Sequence, residues 1–166
     1  GFKISDNMNM KIEPYFQQLY DVPVIADSSY SVLNRRDFYV ENALVNRGKG
    51  RNIGVDITLE RYLNKGLYYM VTASIFDSKY YGGDRKWRNT LYNRNFIVNV
   101  LGGKEWMVGR DKQNMFSVNF KITLQGGDRY APVNEVATLL DPDREVQYDE
   151  TKAFSKQFSP MFITNF

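Results

Sequence analysis

The chain has 166 residues, no cysteine, no histidine and a formal net charge of +3. The absence of cysteine excludes disulfide bonds, thiolate nucleophiles and sulfur ligands for metals, and the absence of histidine removes the usual general base. The small positive charge is spread along the chain, so we expect no nucleic-acid partner, and no motif indicates a metal ion or a cofactor.

Aromatic residues make up 15% of the chain, yet its mean hydropathy is −0.49. This combination favours an all-β fold whose strands have one polar and one apolar face. Alternating polar and apolar residues predict five strands, at residues 7–18, 51–63, 67–76, 95–106 and 115–125. Pro14 lacks the amide hydrogen that a strand ladder uses, which weakens the prediction around it. Ile97 and Leu101 blur the alternation of the fourth strand, and residues 160–166 predict the beginning of a sixth.

The segments between these strands alternate in length. Residues 64–66 and 107–114 form short turns, whereas residues 19–50, 80–94 and 126–159 form long loops. Loops of this length are uncommon in compact domains unless they carry function. The alternation predicts an antiparallel up-and-down meander of about five long strands plus a strand stub. Short turns on one side and long loops on the other are typical of a transmembrane β-barrel.

Strand length and aromatic placement favour the same architecture. The predicted strands run about 10 to 13 residues, against about 5 to 6 in globular sheets, and tilted membrane strands need about 9 to 11. Aromatic residues near the strand ends predict two interfacial girdles, formed by Tyr62, Tyr68, Trp106 and Phe116 on one side and by Phe16 and Tyr80 on the other. Alternation alone is equally compatible with a soluble sheet, whose core the same aromatic residues would fill.

Six segments, in order, carry a resemblance to a known family. They are GKGRNIGVDITLERYL at 48–63, SIFDSKY at 74–80, WRNT at 87–90, NRNF at 93–96, LGGKEW at 101–106 and GGDRYAPV at 126–133. In this order and spacing the chain resembles the late barrel strands of TonB-dependent outer-membrane receptors of the Bacteroidota type. More narrowly, it is similar to those that carry an N-terminal carboxypeptidase-regulatory-like domain.

The resemblance implies a barrel of about 22 strands with a plugged lumen in the bacterial outer membrane. Such a receptor binds a small nutrient, a sugar, peptide or chelate, and imports it with energy from the inner-membrane TonB complex. Residues 1–166 are then expected to be a partial barrel, without plug, TonB box or closed wall, and Phe166 is expected to mark a truncation. The expected partners are the rest of its own barrel and plug, outer-membrane lipid and, for the isolated fragment, further copies of itself.

The polar faces of the strands supply candidate residues for the wet lumen of such a barrel. These are Asn9, Lys11, Glu13, Asp56, Thr58, Glu60, Asn119, Lys121 and Thr123. Trp87, Arg88, Arg129 and Tyr130 lie in the long loops, where aromatic rings and guanidinium groups stack on or hydrogen-bond a ligand. The alternative for these four residues is packing between the loops.

Three motifs suggest other chemistry but fit it poorly. The acidic segment 141–150 lacks the glycine and the final glutamate of a calcium loop, which favours a solvated loop. Gly-Gly-Asp-Arg occurs at 82–85 and again at 126–129, where it is expected to let a strand end twist or bulge. Asp56 and Glu60 are about 13 Å apart along one strand, too far for a glycosidase pair.

The sequence therefore predicts a non-enzymatic segment of an outer-membrane receptor. The alternative is a soluble or surface-exposed β-sheet module that binds carbohydrate through its aromatic residues. An enzyme is the third possibility, since aspartate, glutamate, lysine, tyrosine and serine are the side chains left to act.

Overall fold

The computed structural model describes residues 1–34, 40–143 and 145–166, so residues 35–39 of the predicted loop 19–50 and Arg144 of the acidic segment lie outside the described residues. The described chain is all-β apart from one short helix and two 3-10 turns. Its strands are β1 Phe2–Ser5, β2 Met8–Ile25, β3 Leu44–Asn64, β4 Leu67–Tyr81, β5 Trp87–Asn89, β6 Phe96–Val108, β7 Asn114–Gln125, β8 Arg129–Tyr130, β9 Lys156–Gln157 and β10 Met161–Asn165. The helix is α1 Glu135–Leu140, and the 3-10 turns are Val32–Asn34 and Glu150–Lys152.

The main sheet confirms the predicted antiparallel meander. Its strands pair in the order β1-β2-β3-β4-β6-β7-β10, and β5 pairs with the end of β4. β8 and β9 form a separate two-stranded ladder. The five strands predicted from alternation correspond to β2, β3, β4, β6 and β7, and the predicted stub corresponds to β10. No helix within the described residues is long and apolar enough to cross a membrane.

The predicted loop 19–50 is wrong at both ends. β2 continues to Ile25 and β3 begins at Leu44, which leaves residues 26–43 as the connection. The pairing of β2 with β3 shifts register between Leu19 and Val22 and again before Pro23. Asp21 there has a φ of 53°. Such a bulge breaks the two-residue period, so alternation beyond it no longer matches the first part of the strand.

The structure adds elements that alternation does not predict. β1 pairs with the start of β2 across residues 6–7, which adds a third hairpin with a short turn. Within the predicted loop 80–94, Trp87–Asn89 pairs with β4. Within the predicted loop 126–159, the two-stranded ladder and α1 supply structure. Runs of two to six residues are too short for a periodic pattern to predict.

The turn between β3 and β4 is tighter than predicted, since only Lys65 and Gly66 lie outside the strands. Their φ angles are 52° and 74°, and two positive φ values in a two-residue hairpin turn match the right-handed twist of the strands. A Cβ at Gly66 would lie 2.3 Å from the carbonyl oxygen of Glu105. Glycine is therefore required here by conformation and by space.

Candidate functional site

Cross-strand register divides the side chains of the main sheet between two faces. On the face that we call the apolar face, one row across five strands consists of Ile12, Ile57, Ala73, Val98 and Leu124. The rows beside it consist of Met10, Leu59, Val71, Val100 and Ile122, and of Pro14, Val55, Ile75 and Phe96. Three consecutive rows thus carry no charged or hydrogen-bonding side chain.

The opposite face, which we call the polar face, carries all nine residues predicted for a lumen. Lys11, Thr58, Thr72, Asn99 and Thr123 form one continuous row across five strands. The next row begins Asn9–Glu60 and ends with Lys121, the row on the other side begins Glu13–Asp56, and Asn119 lies beyond, opposite Gly103. The predicted residues therefore share one surface in the fold.

Side chains of the polar face are joined by hydrogen bonds within rows. The Thr123 hydroxyl donates to Asn99 Oδ1 at 2.8 Å, and the Ser74 hydroxyl donates to Asp56 Oδ1. Lys11 forms a 2.8 Å ion pair with Glu13, and both side chains are more than half exposed. The face combines both charge signs with amide and hydroxyl groups, which suits contact with water or a polar partner.

The aromatic girdles are only partly as predicted. Trp106 and Phe116 lie opposite each other on the apolar face, with ring centroids 5.7 Å apart, and Phe16 lies on the same face near the long connections. Tyr68 instead lies on the polar face, where its hydroxyl donates to Asn119 at 2.8 Å. Tyr80 also lies on the polar face and is fully buried. Without register, both faces of a strand end qualify equally for a girdle.

At the end of the sheet that carries the long connections, residues 26–34, 82–86, 88–95, 126–143 and 145–159 cover the polar face. We call these residues the loop cap. Phe154 packs edge-on against Tyr80 at 6.1 Å between ring centroids. A Cβ at Gly50 would lie 2.8 Å from Leu33, so the cap reaches the sheet backbone there. The buried side chains of the described chain lie in and under this cap, among them Val24, Leu91 and Ala153.

Arg88, a predicted ligand-binding residue, serves the packing of the cap. Its guanidinium donates to both carboxylate oxygens of Asp84, at 2.8 and 2.5 Å, and contacts the carbonyl oxygen of Thr151 at 3.4 Å. The Arg88 side chain is 6% exposed. The hydrogen bonds from Arg88 lower the pKa of Asp84 below its usual value, and the same bonds raise the pKa of Arg88. This predicted residue thus packs between loops, which was the alternative.

Trp87 lies on the other side of the sheet from the cap. It pairs with Tyr81, which follows Asp77 and Lys79 along the apolar side of β4, and the two rings are 5.5 Å apart. The Arg51 guanidinium lies 5.6 Å from the centre of the Trp87 ring. Trp87 therefore does not reach a site within the loops.

Arg129 and Tyr130 do meet at a cleft within the loop cap. The cleft has a volume of about 800 Å³, and its aromatic lining consists of Tyr30, Tyr130, Tyr148, Phe154 and Phe158. Tyr130 stacks on Phe158 at 4.3 Å between ring centroids. Arg129 donates to the carbonyl oxygen of Asn93 and to Asn95 Oδ1, and burial lowers its pKa. The arginine thus holds the wall of the cleft, and the tyrosine offers an open aromatic face.

Four of the cleft's aromatic residues were not predicted from the sequence. Tyr30, Tyr148, Phe154 and Phe158 lie in segments without periodicity, and all four are more than 50 residues from Leu91, which lines the same cleft. The one sequence signal that could have indicated them is the high frequency of aromatic residues within otherwise polar loops. Their convergence depends on how the loops fold over the sheet.

Both Gly-Gly-Asp-Arg segments bring a glycine close to a backbone carbonyl, although their local structures differ. A Cβ at Gly83 would lie 1.9 Å from the Ile25 carbonyl oxygen, and one at Gly126 would lie 1.8 Å from that of Arg94. The aspartate of each segment then binds an arginine of the cap, Asp84 to Arg88 and Asp128 to Arg94. The glycines are needed for close backbone approach at a strand exit, which is more specific than the predicted twist or bulge.

The acidic segment uses its own groups as partners. Asp141 Oδ1 accepts from the backbone amides of Asp143 and Glu145, and Oδ2 accepts from Gln147 Nε2 at 2.6 Å. Across residues 1–34, 40–143 and 145–166, no group of three or more acidic residues is placed to hold a metal ion. Asp149 accepts hydrogen bonds from Thr151 and Lys152, which lower its pKa to about 2.

Comparison of the chain with known proteins finds no matching family model, no matching curated protein and no matching solved structure.

Proposed function

We propose that this chain is a segment of the β-barrel wall of an outer-membrane TonB-dependent receptor, a non-enzymatic protein that binds and imports a nutrient. The observation that carries the proposal is that the sheet exposes its apolar face, which a soluble sheet would bury. In the part of the chain that the structure describes, loops cover one end of the polar face, and no element covers the apolar face. Phe16, Ile75 and Phe162 on that face are 64%, 61% and 65% exposed.

Exposure of the whole apolar face is unfavourable in water. A soluble antiparallel sheet packs its apolar face on a core and leaves its polar face wet. Burying apolar surface stabilises a fold by about 25 cal/mol per Å², and an uncovered apolar face forfeits that stabilisation in water. In a barrel wall the same face contacts lipid, and the polar face lines the lumen.

The height of the apolar face supports a membrane location. On β3 it is bounded by Arg51 at one end and Arg61 at the other. Ten residues of strand span about 33 Å, and a strand tilted by about 40° then covers about 25 Å along the membrane normal. That is the height of the apolar band in outer-membrane barrels.

The polar face and the cap suit the remaining functions of a receptor. Asn9, Lys11, Glu13, Asp56, Thr58, Glu60, Asn119, Lys121 and Thr123 would line the lumen and contact the plug or the passing solute. The cleft in the loop cap, with the aromatic face of Tyr130, lies on the side where an extracellular nutrient arrives. The inner-membrane TonB complex would act through the plug.

Lipid contact can be tested with two neighbouring positions on β3. The chain has no native cysteine, so Ile57→Cys and Thr58→Cys each give one labelling site. With an environment-sensitive fluorophore attached and the protein in vesicles, we expect doxyl-labelled lipid to quench the probe at 57. Iodide in water should quench the probe at 58, because adjacent strand residues point to opposite faces. Equal aqueous quenching at both positions would rule out the lipid-facing assignment.

The second candidate function is a soluble or surface-exposed carbohydrate-binding module, which the aromatic lining of the cleft favours. The two candidates differ in behaviour without detergent. Because an uncovered apolar face and unpaired strand edges associate, the receptor segment is expected to form oligomers or aggregates, seen by light scattering. A monodisperse monomer at high protein concentration would favour the soluble module instead.

A further inference from the structure

A cluster of cations lies on the outward side of β3 and β4, just beyond the apolar band. Lys49, Arg51 and Lys79 form this outward basic cluster. Arg51 and Lys79 are directly paired across the two strands, and Lys49 follows two residues further along β3. Since alternate residues of one strand lie about 6.6 Å apart, the three side chains emerge close together on one surface.

Pairing of like charges makes this arrangement unfavourable by itself. Arginine opposite lysine in a ladder is destabilising, whereas opposite charges stabilise. Lys79 has one carboxylate nearby, Asp77 at 3.4 Å, and Asp77 also accepts from Asn93. Among the described residues, Lys49 and Arg51 have no carboxylate within ion-pair distance, and Arg51 Nε is buried without a hydrogen-bond partner. The three cations of the cluster therefore have one carboxylate among them.

The surroundings of the cluster indicate where the missing anions come from. On its membrane side lies a shallow groove of about 620 Å³, whose outward wall is formed by Pro14, Phe16, Ile53, Val55 and Ile75. On its other side, Tyr81 and Trp87 form a tilted aromatic pair. Tyrosine and tryptophan prefer the level of lipid headgroups. The groove, the cations and the aromatic pair thus follow one another along the same strands.

We propose that the outward basic cluster binds the phosphate of an anionic lipid headgroup, whose acyl chains lie in the groove below it. The inference rests on the proposed function, because it requires the apolar face to contact lipid. Arg51 supplies the bidentate donors that suit phosphate, and its guanidinium is held in place over the Trp87 ring. Lys49 and Lys79 add charge without fixed geometry. Trp87, predicted as a nutrient contact, becomes a lipid contact instead.

Lipid titration of the refolded chain tests the site. The protein in zwitterionic micelles is titrated with phosphatidylglycerol or with phosphatidylcholine of the same acyl chains, and bound lipid is counted by native mass spectrometry. We expect a preference for phosphatidylglycerol in the wild type. Arg51→Gln combined with Lys79→Gln should weaken phosphatidylglycerol binding by roughly 30-fold, which is about 2 kcal/mol, because each cation near an anionic surface contributes about 1 kcal/mol.

Two variants serve as controls. Lys152→Gln combined with Lys156→Gln removes the same charge from exposed lysines of the loop cap, and it should leave lipid binding unchanged. Arg51→Lys keeps the charge and should retain most of the preference, which separates loss of charge from loss of fold. Equal binding of both lipids by the wild type would overturn the inference, as would an equal loss in the loop-cap variant.

A third arm distinguishes lipid from free phosphate. Glycerol phosphate at the same concentration should not displace phosphatidylglycerol, since it has no chains for the groove; displacement would overturn the lipid assignment. The vesicle test of positions 57 and 58 separates the two proposals. Lipid contact at Ile57 without headgroup preference overturns this inference alone, and aqueous exposure of Ile57 overturns both.

Discussion

Ile122→Lys should destabilise the protein folded in a bilayer by about 2 to 4 kcal/mol, whereas Thr123→Lys should have little effect. Ile122 lies on the apolar face of β7, among the apolar side chains that run from Phe116 to Leu124. Thr123 is its neighbour on the polar face, where Lys121 already places a cation. A lysine at the bilayer centre loses its hydration, and one at the polar face keeps it.

The free-energy cost of a lysine on the apolar face should depend on its position along the strand. Val118 also lies on the apolar face, but it is paired with Lys104 near the short turns. Since the cost of a lysine falls to about 0 to 1 kcal/mol near the interfaces, Val118→Lys should be mild. Guanidinium unfolding of the vesicle-inserted protein, followed by tryptophan fluorescence, gives the three free energies. Equal costs for Ile122→Lys and Thr123→Lys would contradict a lipid-facing apolar side.

Asp84→Asn should destabilise the loop cap by about 3 kcal/mol, because it leaves the buried Arg88 without its anion. The control is Asp6→Asn, which breaks the ion pair with Lys3. Those two side chains are 93% and 66% exposed. An exposed pair contributes little, so the control should lie within about 0.5 kcal/mol of the wild type. Urea unfolding in detergent compares the variants, and similar values for both would show that Arg88 is solvated.

The same pair gives a pH dependence with a defined sign. The pKa of Asp84 is lowered in the folded protein by its hydrogen bonds to Arg88. A carboxyl group with a lowered pKa contributes stability above its unfolded pKa and loses that contribution as pH falls through the folded value. Unfolding free energy should therefore fall on acidification below about pH 4 in the wild type. Asp84→Asn should lack this part of the decline.

The strands of the main sheet were predictable because alternation extends over many residues. In β7, Phe116, Val118 and Phe120 alternate with polar residues without interruption, and the structure places the strand within one residue of the prediction. Prediction failed where the backbone departs from period two. The bulge around Val22 interrupts the alternation, so the last part of β2 was not predicted. The glycines at 48 and 50 have the same effect at the start of β3.

The strand residues of the candidate site were predictable from the sequence, but its loop residues were not. Residues such as Lys11, Thr58 and Thr123 share a face because their strands pair in a meander, and alternation already implies that pairing. No comparable periodic rule predicts the direction in which a loop side chain points. Arg88 turned into the cap and Trp87 turned outward, although they are adjacent in sequence, because β5 pairs with β4 and so sends successive side chains to opposite faces.

The alternation of short turns and long connections also sets an order of folding. Each short turn closes a hairpin from residues close in sequence, and such contacts form in microseconds. The cap instead joins distant residues, as in the hydrogen bonds of Ser28 with Glu150 and of Leu91 with Asn34. Closing a longer chain loop carries a larger entropic cost and is slower. We therefore expect the three hairpins to form early and independently of one another, and the contacts of the loop cap to form last.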